Sequence, residues 1–228
     1  YYSCIKTLSA PVDIIGEDRD LSSYPVVIAP AYQMVDRALV AKWTKYVENG
    51  GNLVLSCRTG LKDRDGHFFE AQWADAITNL IGAKIALNDM LGAKMNAKVS
   101  YNGNTYLWNN WGDMLDPMAG TDTWATYADQ FYAGKASVVH RKLGKGTVTY
   151  IGTDTDDGKL EKDVLKKVYE SAGISVKELP EGVMLNWRDG FWVAINYSST
   201  NVTIDIPQNA NILFGTKDLT PAGVAVWK

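Results

Sequence analysis

The chain has 228 residues, of which 46% are apolar and 21% are charged, a composition typical of a folded globular protein. Its formal net charge of −3 and its scattered lysines and arginines predict no nucleic-acid partner and no anionic membrane partner. With two cysteines, Cys4 and Cys57, and two histidines, the chain has too little material for a disulfide framework or a zinc site, so we expect no metal and no cofactor.

The N-terminal residues show the apolar spacing of a helix from the first residue onward. Tyr1, Tyr2, Ile5 and Leu8 recur at helical spacing, and the segment has neither an initiator methionine nor a signal-peptide pattern. We therefore expect this chain to be a fragment of a longer protein.

Residues 12–81 predict the order β–α–β–α. The β-branched runs 12–15 and 25–30 and the apolar run 52–56 are typical of buried parallel strands. A helix is predicted to begin at Asp36 and to end at Gly50-Gly51, and its apolar face contains Leu39, Val40, Trp43, Tyr46 and Val47. A second helix is predicted within 70–81, with Trp73, Ile77, Leu80 and Ile81 on one side. This order implies a parallel sheet with helices on its faces.

From about residue 84 to 135 the helical period disappears, which predicts a β-rich insertion. Residues 97–108 alternate around Asn102-Gly103, a hairpin signal. The final strand of the sheet is predicted at 147–152, and a last helix at 159–172. After residue 177 only short strands follow, so we predict a first domain of residues 1–176 and a small antiparallel β-domain of residues 177–228.

The stretch NLVLSCRTG, residues 52–60, ends a predicted strand at a cysteine and suggests a thiol nucleophile. Such a nucleophile needs a lowered pKa, a nearby base and small neighbours that allow a strained turn. Leu55 occupies a position where a glycine would relieve that strain, and the only imidazoles are His67 and His140. We favour a packed, unreactive Cys57, with an amidotransferase-like hydrolase as the alternative.

Two polar loops follow predicted strands. Residues 152–163 resemble a calcium loop, but Gly158 falls on a ligand position and no glutamate stands where one is needed. Asp156 and Asp157 are therefore predicted to cap the last helix.

The second loop, residues 62–70, gathers Asp63, Arg64, Asp65 and His67 at the carboxyl end of a strand, where α/β sheets bind ligands. The simpler interpretation, which we favour, is a solvated turn with Asp65-Gly66 at its tip.

Eight tryptophans and twelve tyrosines are many for this length. Trp108 and Trp111 have asparagine neighbours in the sequence, and aromatic rings in such polar segments stack on sugars or anchor protein interfaces. We rank an interface first for these two and the core first for Trp43 and Trp187. A carbohydrate-binding module that uses Trp108 and Trp111 stays an alternative.

Three segments carry a family resemblance. The stretch YPVVIAPAYQMVDRALVAKWTKYVENGGNLVLSCRTGLKDRDG resembles the start of the β-galactosidase trimerisation domain of glycoside hydrolase family 42. The stretch TWATYADQFYAGKASVVHRKLGKGTVTYIGT is similar to a later part of that domain, and DLTPAGVAVWK is similar to the end of the family's C-terminal β-domain. The motif residues, each also a possible interface residue, are Arg58, Thr59, Gly60, Lys62, Asp63, Tyr127, Phe131 and Tyr132.

The resemblance implies a flavodoxin-like fold of the class I glutamine amidotransferase kind, without amidotransferase chemistry, whose helices cover both faces of the sheet. It implies a homotrimer, with two further copies of the chain as partners. Catalysis in the family belongs to an N-terminal (β/α)8 barrel that binds the galactoside and hydrolyses it with retention through two glutamates.

The acid/base glutamate of that barrel follows an asparagine, and no Asn-Glu pair occurs here, so we assign no catalytic residue to this chain. The position of Cys57 is commonly not a cysteine in the family. The sequence therefore predicts a non-catalytic assembly fragment of a retaining β-galactosidase.

Overall fold

The computed structural model describes residues 1–69, 75–155 and 157–228. They form two compact units: a larger unit, Ile15–Val164, and a smaller unit made of Tyr1–Ile14 and Leu165–Lys228. The helices are α1 (Tyr2–Thr7), α2 (Arg37–Glu48), α3 (Asp75–Ile81) and α4 (Lys159–Ser171). The predicted N-terminal helix is confirmed as α1, and the last predicted helix as α4. No helix in the described part of the chain is long and apolar enough to cross a membrane.

The larger unit contains a mixed sheet of nine strands. They are β1 (Val26–Ala29), β2 (Asn52–Ser56), β3 (Ala83–Met90), β4 (Ala97–Tyr101), β5 (Asn104–Pro117), β6 (Thr121–Tyr127), β7 (Ala136–Leu143), β8 (Gly146–Ile151) and β9 (Thr153–Thr155). The order is β1-β2-β8-β7-β6-β4-β5-β3, and β9 pairs with β5. The pairs β1–β2 and β2–β8 are parallel, and the other pairs are antiparallel. The predicted β-rich insertion therefore extends the same sheet.

The predicted helix at 36–51 is confirmed as α2. The Asp36 carboxylate accepts a hydrogen bond from the Leu39 N–H at 2.7 Å, which satisfies one of the free donors at the start of the helix. Leu39, Trp43, Tyr46 and Val47 are buried in the core of the larger unit. The helix predicted within 70–81 is present as α3 from Asp75 onward, whereas Trp73 lies outside the described residues.

The predicted hairpin around Asn102-Gly103 is confirmed as the turn between β4 and β5, and Tyr101 pairs with Asn104. Asn102 and Gly103 have φ angles of 50° and 78°, the left-handed pair that a tight two-residue hairpin requires.

The predicted strand at residues 12–15 is wrong. This segment has no strand assignment, and Ile14 is 88% exposed. A β-branched run becomes a strand only where a neighbour pairs with it and buries one face, so the propensity of Val12, Ile14 and Ile15 was not sufficient.

The smaller unit contains a four-stranded antiparallel sheet in the order β10-β11-β15-β13 and a two-stranded pair β12-β14. These strands are β10 (Val183–Arg188), β11 (Phe191–Asn196), β12 (Val202–Thr203), β13 (Ile212–Phe214), β14 (Asp218–Leu219) and β15 (Val224–Trp227). The buried core is Val183, Ala194, Ile204, Leu219, Ala225 and Trp227. Trp187 is 54% exposed, so its predicted core position is wrong. It lies one residue from the end of β10, just before the turn at Asp189-Gly190, where the core does not reach.

Candidate functional site

The turn that follows β2 is built by the Arg-Thr-Gly motif. Arg58 has a φ of 68°, a left-handed conformation that residues with a side chain seldom adopt. The Thr59 hydroxyl donates to the Ser56 carbonyl at 2.6 Å, and the Gly60 N–H donates to the Tyr32 carbonyl at 3.1 Å. Thr59 and Gly60 are buried, so these two motif residues shape the turn instead of facing solvent.

Cys57 is packed, as predicted. Its side chain is fully buried, and its backbone N–H donates to the Ile151 carbonyl of β8 at 2.8 Å. Burial raises the pKa of the thiol well above its usual value, and the neighbouring carboxylates of Asp154 and Asp113 raise it further. A thiol with a raised pKa stays protonated near neutral pH, and the thiolate is the nucleophilic form. This environment opposes the chemistry of a catalytic cysteine.

Each histidine contacts residues other than Cys57. The His140 imidazole is hydrogen-bonded through Nδ1 to the Thr149 hydroxyl at 2.9 Å and stacks on Trp124 with ring centroids 4.1 Å apart. The His67 side chain is 80% exposed and lies 3.7 Å from the Asp63 carboxylate.

A buried carboxylate, Asp113 of β5, lies beside this turn. Its oxygens accept hydrogen bonds from the Tyr150 hydroxyl at 2.7 Å, the Trp111 indole N–H at 2.8 Å and the Arg58 backbone N–H at 3.3 Å. Burial is the largest influence on this group and raises the pKa of Asp113 to about 6, although its three donors favour the charged form. Asp113 thus connects the turn after β2 with β5 and β8.

Asp113 is not among the candidate site residues that the sequence predicts. The available signal was an aspartate within the otherwise apolar run Trp111–Leu115, where a buried carboxylate must find donors. The chain separates Asp113 from Tyr150 by 37 positions and from Arg58 by 55, so no local pattern could identify those donors.

The two tryptophans of β5 have different environments. Trp108 is fully buried, and its ring contacts Tyr127 edge to face with centroids 5.5 Å apart. The placement of Trp108 at an interface or on a sugar-binding surface is therefore wrong, because its strand position faces the core. Trp111 is half-buried, and the Arg58 guanidinium lies 4.7 Å from the centroid of its ring, within the range of a cation–π contact. The proposed two-tryptophan sugar platform is not formed.

The loop at residues 62–70 is a tight turn built by one carboxylate. Asp63 Oδ1 accepts hydrogen bonds from the N–H groups of Asp65 and His67 at 3.0 and 2.9 Å. Asp63, Asp65 and His67 each bring a potential metal-ligand atom within 4.8 Å of the others, but Asp65 and His67 are exposed. The described part of this loop, up to Phe69, agrees with the solvated turn that we favoured.

The acidic segment at 152–163 caps α4. Asp157 accepts a hydrogen bond from the Lys159 N–H at 3.1 Å, as predicted for this residue, whereas Asp156 lies outside the described residues. Glu161, which is 4% exposed, accepts from the Thr155 N–H at 2.7 Å and from the Thr155 hydroxyl. Asp157 and Glu161 therefore make their hydrogen bonds around the start of α4.

The comparisons with known proteins agree along the whole chain. The family model described as the β-galactosidase trimerisation domain matches residues 1–179, and the model described as the β-galactosidase C-terminal domain matches residues 183–228. The chain belongs to glycoside hydrolase family 42.

Relatives and solved structures extend this assignment. β-Galactosidase BgaH of Haloferax lucentense is 31% identical over 227 residues, which cover 99% of this chain and 34% of the relative. The solved β-galactosidase of Halorubrum lacusprofundi is 26% identical with a TM-score of 0.89, covering 100% of this chain and 34% of that one. The β-galactosidase of Marinomonas ef1 is 27% identical with a TM-score of 0.85, covering 100% and 32%. The chain thus spans about a third of the length of these relatives.

Within the family 42 framework, the chain consists of the trimerisation domain and the C-terminal domain. No (β/α)8 barrel, the predicted catalytic domain, occurs among the described residues. The motif residues differ in exposure: Tyr127 and Tyr132 are 1% and 4% exposed, whereas Phe131 is 84% exposed. Lys62 is half-buried, and its ammonium group lies 5.1 Å from the centroid of the Phe68 ring.

Proposed function

We propose that this chain holds three copies of a family 42 β-galactosidase together. The observation that carries this proposal is the match of the trimerisation-domain model over residues 1–179. In the proposed arrangement, residues 1–176 form the trimerisation domain and residues 177–228 form a small accessory β-domain. The galactoside would bind to the barrel of the parent enzyme, which hydrolyses terminal β-galactosides with retention.

We further propose that the larger unit is a modified flavodoxin-like sheet of the amidotransferase kind, with helices on both faces. Two features support this. The strands β1, β2 and β8 are parallel, with α2 connecting β1 to β2 along the chain. The sharp turn at Cys57 and Arg58 follows the end of β2, the position at which sheets of this class place functional groups.

The chain by itself is proposed to be inactive, both on galactosides and as a thiol hydrolase. The support for the second point is the buried position of Cys57, the raised pKa of its thiol and the other contacts of the two imidazoles. We therefore expect no turnover of nitrophenyl-β-galactoside by the purified chain. Turnover that persists through a second purification would contradict this.

Light scattering coupled to size-exclusion chromatography tests the assembly role. The expected mass at micromolar concentration is three times that of the 25.1 kDa chain. A chain that stays monomeric across that concentration range contradicts the proposal, and a stable dimer contradicts the threefold arrangement.

A further inference from the structure

Four aromatic rings of the larger unit form a continuous series from the core to the surface. Trp108 and Tyr127 are 0% and 1% exposed, Tyr132 is 4% exposed, and Phe131 is 84% exposed. Successive ring centroids are 5.5 Å, 5.2 Å and 4.8 Å apart, and each pair is edge to face. In the order Trp108, Tyr127, Tyr132, Phe131, each ring contacts the next, and the last lies in solvent.

The loop that carries Phe131 is firmly held. The Tyr132 hydroxyl donates to the Asp89 carboxylate of β3 at 2.7 Å, which ties the loop to a strand 43 positions away in the chain. Backbone hydrogen bonds close the loop from Gly134 to Tyr127 at 2.8 Å and from Lys135 to Tyr132 at 3.0 Å. Gln130, directly before Phe131, has a φ of 65°, a conformation that is kept only where the surrounding contacts fix it.

In the isolated chain, the exposure of the Phe131 ring to water is unfavourable. Phe131 is the most exposed aromatic side chain in the described part of the chain, and burying its ring against a partner is favourable. An exposed aromatic ring on a loop that is already held loses little backbone entropy on binding, which is a property of an interface anchor.

We infer that Phe131 is an anchor of self-association and packs against a neighbouring copy of this chain. The inference rests on the proposed trimerisation, which identifies the partner as a second copy. In a threefold ring, each interface joins two different patches, so Phe131 of one copy meets a different surface of the next and not another Phe131. Three such contacts then close the ring.

Alanine substitution at Phe131 tests the inference by sedimentation velocity over a concentration series. Each lost anchor weakens its contact tenfold or more, and a trimer has three, so Phe131→Ala should raise the midpoint concentration of association at least about tenfold. The matched control is Phe214→Ala, because Phe214 is also a solvent-exposed phenylalanine, at 64% exposure, and lies on β13 in the part matched by the C-terminal-domain model. The control should leave the midpoint unchanged.

A second measurement does not depend on how well the alanine variant folds. A benzophenone-bearing phenylalanine analogue placed at position 131 should, on irradiation, give products with the mass of two linked chains, and the same analogue at position 214 should give none. Equal association of wild type and Phe131→Ala, or equal cross-linking at the two positions, overturns the role of Phe131 and leaves the proposed trimer intact. A monomeric wild type instead overturns the proposed function, and this inference with it.

Discussion

In the larger unit, β1, β2 and β8 run parallel, whereas β3–β7 and β9, which lie outside that parallel set, pair antiparallel. The parallel part buries aliphatic side chains. Leu53, Val54 and Leu55 of β2 are all at most 1% exposed, on both faces of the strand. The antiparallel part buries large and polar groups instead, with Trp108, Asp113 and Tyr127 each at most 1% exposed.

Burial has a different consequence in each of these two parts of the sheet. At the end of the parallel strand β2, burial raises the pKa of the Cys57 thiol and leaves it protonated. In the antiparallel part, the buried rings of Trp108, Tyr127 and Tyr132 contact one another in series. The last of them contacts the ring of Phe131, which is exposed to solvent. The structure thus opposes chemistry at the turn after β2, and we place the association function in the insertion.

The largest effect is expected from Trp108→Ala, which tests whether the aromatic core holds the antiparallel part together. Removing a fully buried indole leaves a cavity, and we expect a loss of about 3–5 kcal/mol in the free energy of unfolding. Urea denaturation measures it. Leu107→Ala, at the neighbouring position of the same strand but 54% exposed, should cost less than about 0.5 kcal/mol. Similar losses for both variants would contradict the assignment of Trp108 to the core.

The next effect concerns the pH dependence that Asp113 introduces. Its pKa is raised to about 6 in the folded chain, from an ordinary 3.8, so the folded state binds the proton more tightly than the unfolded state. Stability from this group is fully present below about pH 4 and is lost as the pH rises through about 6, by about 3 kcal/mol. Thermal unfolding of wild type and Asp113→Asn between pH 4 and 8 should show that the variant lacks this loss.

The control for the titration of Asp113 is Asp116→Asn. Asp116 lies on the same strand but is exposed and forms an ion pair with Lys135 at 2.6 Å. This variant should keep the wild-type pH profile between pH 4 and 8. If Asp113→Asn also keeps it, the buried carboxylate does not govern stability in this range.

The smallest effect is expected in the parallel part, at the turn after β2. Thr59→Val keeps the shape of a fully buried side chain but removes the hydroxyl that donates to the Ser56 carbonyl at 2.6 Å. Because that carbonyl also accepts from the Thr59 N–H at 3.2 Å, we expect a loss of about 1 kcal/mol. Thr123→Val, at an exposed position of β6, should change the unfolding free energy by less than half as much. A reversed order of the two would contradict a structural role for the motif threonine.

The sequence predicted the parts of the fold whose cause is local. Helix α2 has a capping Asp36 and a continuous apolar face, and the β4–β5 hairpin has the Asn102-Gly103 turn. Both follow from spacing and backbone preference, which neighbours in the chain determine.

The errors arose where burial depends on distant residues. Trp108 and Trp187 have similar aromatic and polar neighbours in the sequence, yet one is fully buried and the other is 54% exposed. The donors that make Asp113 tolerable in the core come from the turn after β2 and from β5 and β8. Such contacts are set by strand order, which single-sequence periodicity does not contain.

Sedimentation equilibrium of the wild-type chain over a hundredfold concentration range measures directly how many copies associate. We expect data that fit a monomer–trimer equilibrium between 25.1 kDa and three times that mass. A constant mass of 25.1 kDa, or a monomer–dimer equilibrium, would contradict the assignment of this chain as the element that holds three copies together.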